Sequence, residues 1–222
     1  VKPPETGGTK NGRTTMSTTL TVDFFCSLDG YGSAEGWPGY WGKEGPEIID
    51  DRVRTFADEQ VLVFGATTFR QFARFVTMFD EPYYQRLNEL PKIVFSGTID
   101  PASPGWQNST VLNEDAVTAI DRLKRTTDIP MRSHGSISLN RALLAAGLVD
   151  RIELTVFPAI TGSAGYAALF QGGAEFDLDL LESTVLDGRT LKLAYAPQLH
   201  GEIPEGAGPK RRTADPVAEG RG

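Results

Sequence analysis

The chain has 222 residues, of which 40% are hydrophobic and 23% charged, and a net charge of −7; that composition supports one well-buried core. The acidic balance and the lack of a clustered basic face argue against a nucleic-acid partner, and no run of about 18 apolar residues offers a membrane span. One cysteine, Cys26, and two histidines, His134 and His200, exclude an intrachain disulfide and a cysteine-based zinc site, and leave little for a histidine-rich metal centre.

Residues 1–16 are rich in Pro, Gly, Thr and Lys, and residues 200–222 have the same character; both are expected to be disordered tails around a folded body at 17–199. The N-terminus lacks the apolar segment of a secretory signal, so a cytoplasmic protein is expected.

Within the body, strands and helices alternate. Leu20 to Cys26 reads as a first strand. "PEIIDDRVRTFADE" places Ile48, Ile49, Val53 and Phe56 at helical spacing. "QVLVFG" is a short apolar strand ending at Gly65, and "ATTFRQFARFV" a helix with Phe69, Phe72 and Phe75 on one side. "KIVF" and "NSTVLN" read as strands, "EDAVTAIDRLKRT" as an amphipathic helix, and "IPMRSHG" as a strand ending at Gly135. "SISLNRALLAAGLVD" is a helix stopped by Gly147. "RIELTVFPAI" is a strand whose Pro158 suggests an edge or a bulge. "LDLLESTVLDGRTLKLAYAP" is a hairpin turning at Asp187-Gly188. Short apolar strands separated by helices predict a three-layer α/β/α sandwich whose sheet is mainly parallel with a C-terminal antiparallel hairpin. There are too few units for a (β/α)₈ barrel.

Three strand ends share a chemistry. Gly65 is followed by Thr67 and Thr68; "KIVF" runs into Ser96, Gly97 and Thr98; Gly135 is followed by Ser136 and Ser138. Each serves equally as an ordinary turn with a helix cap or as a place where helix N-termini and hydroxyls receive a phosphate-bearing ligand. None matches the dinucleotide fingerprint or the P-loop pattern. Asp29, in "SLDG", is either an Asx turn or a polar contact to a substrate. The following "YGSAEGWPGYWGKEG" is long for a connection and aromatic, so Trp37 and Trp41 are candidates for a closing lid. Asp50, with Glu47 and Asp51, lies on the next helix, where a carboxylate faces either solvent or a substrate.

"FFCSLDGY", "VFGATTFRQF", "PKIVFSGT" and "HGSISLNRALLAAGLVDRIELTVFPAITGSAGYAALF" together resemble the RibD C-terminal family, the dihydrofolate-reductase-like reductase domain of riboflavin biosynthesis and its stand-alone relatives. The resemblance covers about residues 19 to 197. It implies a dihydrofolate-reductase-like fold, a homodimer and a nicotinamide cofactor, NADPH more usually than NADH. The implied reaction is hydride transfer to a small heterocyclic or sugar-pyrimidine substrate such as 5-amino-6-(5-phosphoribosylamino)uracil. Alternatives on the same fold are a dihydrofolate-type reductase and a non-catalytic nucleotide-binding protein. By position, Gly65, Thr67 and Thr68 hold cofactor phosphate; Ser96, Gly97 and Thr98 flank the adenosine half; and Gly135, Ser136, Ile137 and Leu139 lie against the pyrophosphate and nicotinamide. Asp29, or a water near it, would supply a proton.

The chain departs from the family in four ways. Ala66 and Gly97 stand where relatives often carry arginines suited to the 2′-phosphate of NADPH, leaving Arg70 or Arg132 as substitutes. The region "QFARFVTMFDEPYYQRL" lacks the family's D-x-P-x-L-x-x-R stretch. The chain also has no deaminase zinc motif.

Overall fold

A computed structural model of the chain describes residues 18–200; the tails expected at 1–16 and 201–222 lie outside the described residues. His200, placed in the C-terminal tail from sequence, is tied back to the body: its Nδ1 lies 2.7 Å from an Asp177 carboxylate oxygen, and its amide donates to the Glu175 carbonyl.

The strands are β1 (Leu20–Ser27), β2 (Val61–Gly65), β3 (Lys92–Phe95), β4 (Ser109–Leu112), β5 (Met131–His134), β6 (Arg151–Phe157), β7 (Phe176–Leu186) and β8 (Thr190–Leu199). The helices are α1 (Pro46–Thr55), α2 (Ala66–Phe75), α3 (Pro82–Glu89), α4 (Ala116–Thr126) and α5 (Ile137–Ala145). All eight strands join one sheet in the order β4-β3-β2-β5-β1-β6-β8-β7. β1 to β6 are parallel, and β8 and β7 complete the sheet antiparallel to their neighbours.

Alternation along β1 sorts the two faces. Leu20, Val22, Phe24 and Cys26 pack with Ile120 of α4 and Leu143 and Leu144 of α5. Thr21, Asp23 and Phe25 point the other way, toward α1. On that second face Phe56, Leu62, Phe64, Phe69, Tyr83, Leu87, Leu90 and Trp106 form a core under α1, α2 and α3. The arrangement is the expected three-layer sandwich with a mainly parallel sheet and a C-terminal antiparallel hairpin.

Local chemistry accounts for the element ends. Asp115 caps α4 by accepting from the Thr118 amide at 2.8 Å. α5 ends in a Schellman turn: Gly147 has φ +67°, Leu148 N–H donates to Leu143 C=O and Gly147 N–H to Leu144 C=O. Asp187 and Gly188 turn the β7–β8 hairpin with φ of 50° and 64°, the left-handed pair that matches strand twist. That hairpin tip also caps α1 in place of a local residue, since the Asp187 carboxylate accepts from the amides of Glu47 and Ile48.

One expectation is corrected, and one helix is added. β6 is no edge strand: it pairs with β1 on one side and β8 on the other, and Pro158 lies just past its end, where no ladder amide is needed. α3 was hidden because only Tyr83 and Leu87 of its residues are buried, too few to show a helical period.

Candidate active site

β2 and β5 are neighbours in the sheet, yet α2 leaves β2 toward one face and α5 leaves β5 toward the other. The chain therefore opens a crevice at their C-terminal ends, the place where open α/β sheets bind ligands. A cavity of about 540 Å³ occupies it, within the usual range for small-molecule sites. Gly65, Thr67, Thr68, Gly135, Ser136, Ile137 and Leu139 all line it, joined by Phe24, Phe25, Gln71, Phe72, His134 and Tyr166.

The two strand ends are cross-linked. Ser136 Oγ accepts from the Gly65 amide at 3.0 Å, and Thr68 Oγ1 accepts from the Ser136 amide at 3.1 Å. Gly135 and Ser136 take φ of 75° and 37°. Asn140 holds this left-handed turn by donating to the Gly135 carbonyl at 2.8 Å, while Ser133 Oγ donates to Asn140 Oδ1 at 2.5 Å. A Cβ on Gly135 would come within 3.3 Å of Thr68 Cγ2, so glycine keeps the two turns in contact and spares the strain of a side chain at positive φ. Neither α2 nor α5 has a side-chain cap. Their first turns, at 66–68 and 137–139, line the same crevice, and helix N-termini carry a partial positive field suited to an anion.

Ser96, Gly97 and Thr98 do not line this cavity. They stand at the end of β3, one strand beyond β2, where Ser96 Oγ accepts from the Thr98 and Ile99 amides, each at 3.0 Å. Arg70 reaches across from α2 and donates to Thr98 Oγ1 at 2.8 Å on the exposed rim. Arg132 is committed elsewhere: it bonds Glu153 at 2.7 Å, Asp23 at 3.3 Å and Gln60 at 3.0 Å inside the fold. Of the two arginines considered as substitutes, only Arg70 is exposed at the strand ends.

The remaining sequence candidates lie apart from the cavity. The Asp29 carboxylate accepts from the amides of Thr161 and Gly162, the latter at 2.8 Å, and from the Thr161 hydroxyl. Hydrogen bonds from the Ser27 hydroxyl and from those amides hold its pKa well below the usual carboxylate range. It is an ionised turn cap, and an ionised carboxylate has no proton to give. Trp41 is 6% exposed and packs on Phe157 with ring centroids 5.3 Å apart, which makes it a fixed core residue rather than a moving lid. The loop before it is pinned by bridges from Tyr31 to Ala168 and from Ala34 to Gly165. Trp37 is exposed and, with Tyr40, Trp41 and Tyr166, borders a second cleft of about 160 Å³; Gly32, Ser33 and Tyr166 line both hollows. Asp50 is exposed on α1, while its neighbour Asp51 is buried against Lys192 at 2.8 Å.

Sequence reading weighed His134 for a metal centre or a Cys–His pair and missed its place in the cavity. Its ring lines the cavity between Phe25 and Phe72, with centroids 5.1 and 5.2 Å away. Its Nδ1 lies 3.2 Å from Asp23, which is 1% exposed and also bonded to Arg52 at 2.9 Å. A polar alternation in "MRSHG", with Arg132 and His134 on one face, was the available signal.

No described helix is long and apolar enough to cross a membrane. Among the described residues no group of three His, Cys, Asp or Glu could hold a metal ion.

No curated protein sequence matches this chain. Several solved structures share its fold. A putative riboflavin biosynthesis protein from Shewanella sp. PV-4 is 18% identical with a TM-score of 0.61, the match covering 82% of this chain and 99% of that one. The Thermotoga maritima diaminohydroxyphosphoribosylaminopyrimidine deaminase/5-amino-6-(5-phosphoribosylamino)uracil reductase is 14% identical with a TM-score of 0.57, covering 82% of this chain and 57% of that one. The Saccharomyces cerevisiae riboflavin biosynthesis reductase Rib7 is 15% identical with a TM-score of 0.52, covering 83% and 91%. These neighbours identify the fold as dihydrofolate-reductase-like. The sequence model of the RibD C-terminal domain matches residues 18–192, which takes in strands β1 to β7 and the start of β8, and the chain belongs to the RibD C-terminal domain family.

Proposed function

We propose that the protein is a pyridine-nucleotide-dependent reductase, using NADPH in preference to NADH, that acts on a small heterocyclic or sugar-pyrimidine substrate of the 5-amino-6-(5-phosphoribosylamino)uracil type. One observation carries this reading: the uncapped N-termini of α2 and α5 meet at one crevice, fastened by the Ser136–Gly65 and Thr68–Ser136 bonds. That donor set fits a pyrophosphate. Gly65, Thr67, Thr68, Gly135 and Ser136 would hold it, and Ile137 and Leu139 would pack beside it. When bound, the nicotinamide supplies a hydride. The protein's own task is to orient the acceptor and keep water out, for which Phe25, Phe72 and Tyr166 provide flat walls. Ser96, Gly97, Thr98 and Arg70 would receive the adenosine half, with Arg70 on its 2′-phosphate.

The same reading includes a homodimer. β7 is an edge strand of 11 residues, exposed from Asp177 to Val185. Leu178, Leu180, Leu181, Val185, Leu191 and Leu199 of the terminal hairpin are all 42% exposed or more. A long apolar edge of this kind is normally covered, and a second copy, meeting it through a two-fold axis, covers both edges at once.

The test is NADPH oxidation in the presence of 5-amino-6-(5-phosphoribosylamino)uracil. Stoichiometric loss of NADPH with formation of the reduced ribitylamino product is expected. Tight NADPH binding with no oxidation across pyrimidine, pterin and flavin substrates would leave a nucleotide-binding protein instead.

A further inference from the structure

We propose that His134 is the proton-transfer residue of the cavity, keeping one proton on Nδ1 against Asp23 and exchanging a second between Nε2 and the substrate. This rests on the reductase reading above. Hydride addition to a C=N or C=O carbon moves the π electron pair onto the nitrogen or oxygen. That atom must then take a proton; here the proton leaves Nε2, the imidazolium returns to neutral, and solvent reloads it through the open cavity.

The geometry assigns the two ring nitrogens different work. Nδ1 faces Asp23 Oδ2 at 3.2 Å, and the Arg52 guanidinium, 3.4 Å from Nδ1, already donates to that same carboxylate at 2.9 Å. Asp23 is ionised, because Arg52, His134 and Arg132 together outweigh the cost of burying it. An ionised carboxylate accepts only, so Nδ1 carries the proton that bridges them. The polar contacts of the ring to other described residues all run through Nδ1, and the ring lines the cavity. An oriented imidazole with one nitrogen on a buried carboxylate and the other open to substrate is the arrangement general acid–base catalysis needs.

The surrounding charges set the direction of its pH dependence. Asp23 on β1 and Glu153 on β6 balance Arg52 on α1 and Arg132 on β5. Tyr83 of α3 and Tyr40 stay neutral, since burial raises both. A neutral His134 leaves this network without excess charge. Burial pushes the imidazole below its usual 6.5, Arg52 and Arg132 act in the same sense, and Asp23 opposes them. The free enzyme therefore holds Nε2 bare at neutral pH, and reduction should slow tenfold per pH unit above that lowered pKa.

The chain has two histidines, so ring-nitrogen NMR reads His134 directly, with a His200→Gln protein to assign it. In the free protein His134 should carry its proton on Nδ1, leave Nε2 bare at pH 7, and titrate below 6.5. In turnover with NADPH and 5-amino-6-(5-phosphoribosylamino)uracil, His134→Gln should lower kcat about 100-fold or more, leave the KM for NADPH nearly unchanged and flatten the pH profile. His134→Ala should regain activity with added imidazole. A resting Nε2–H tautomer, or a wild-type kcat and pH profile in His134→Gln, overturns the inference. If the wild-type protein turns over nothing, the substrate reading fails separately, and the nitrogen signals alone decide the role of His134.

Discussion

The sheet leaves two things open, one near its middle and one at its antiparallel end. Near its middle, at β2 and β5, it exposes polar groups: uncapped helix amides, hydroxyls and one imidazole face of a buried ion network. At its antiparallel end, β7 and β8 expose leucines and valine along an unpaired edge. The first kind of vacancy attracts a small anion, because amides left without acceptors in a crevice gain from phosphate. The second attracts apolar surface, because leucine gains only from leaving water. On the proposed reading the parallel half serves chemistry and the antiparallel half self-association, and the two should fail separately.

The largest effect should come from charging the apolar edge. Each leucine buried in an interface is worth about 1.5–3 kcal/mol, and two-fold symmetry counts it twice. Leu180→Lys or Leu191→Lys should therefore raise the dimer dissociation constant by about 100-fold or more, seen by sedimentation, with circular dichroism unchanged. A wild-type protein that sediments as a monomer at high concentration would remove the second half of the comparison.

Next is Gly135→Val. Its Cβ would press on Thr68 Cγ2 at 3.3 Å and its backbone would keep φ +75°. The positive φ costs about 1–2 kcal/mol of stability for a side chain, so melting should shift while the fold persists. NADPH affinity should fall by more than that strain explains, about 100-fold. Retained binding would take the β5 turn out of the site.

Arg70→Ala should cost less. A hydrogen bond to a charged group is worth about 1.5–3 kcal/mol, so NADPH should weaken by about 10- to 100-fold while NADH changes little, and the salt dependence of NADPH binding should flatten. Equal weakening of both nucleotides would place Arg70 away from the 2′-phosphate.

The smallest effect concerns stability and pH. Burial lowers the folded pKa of His134 below 6.5, so the unfolded chain binds its proton first. Stability is full above pH 6.5 and declines as pH falls toward the folded value. His134→Gln should remove that part of the slope, while the Asp23 contribution, lost only below the ordinary carboxylate range, remains. An unchanged slope between pH 7 and 5 would mean that His134 titrates alike in the folded and unfolded chains, so that burial does not lower it.

Much of this was legible in sequence because the signals are local. Gly147 stops α5, Asp187-Gly188 turns the hairpin, and the apolar runs at 61–65 and 92–95 are strands. The strand-end glycines and hydroxyls also declare themselves, since a βα turn brings them to one side of any parallel sheet. What stayed hidden depends on partners far away in the chain. Asp29 read as an Asx turn or a substrate contact until Thr161 and Gly162 supplied its donors. Arg132 stood as a substitute for the missing arginines until Glu153 and Asp23 enclosed it. Trp41 looked like a lid until Phe157 fixed it. His134 acquires meaning only from Asp23 on the adjacent strand and Phe72 on α2. A local pattern shows where a side chain starts; burial by a distant element decides its charge and its freedom.

The most direct measurement is an amide NMR titration of the labelled protein with NADPH. Saturable shifts should concentrate at 65–68 and 135–139, with a second group at Arg70 and 96–98 that is weaker with NADH, while the β7–β8 hairpin stays unmoved. No saturable shifts at millimolar NADPH, or shifts confined to the hairpin, would contradict the assignment of the strand-end crevice to a pyridine nucleotide.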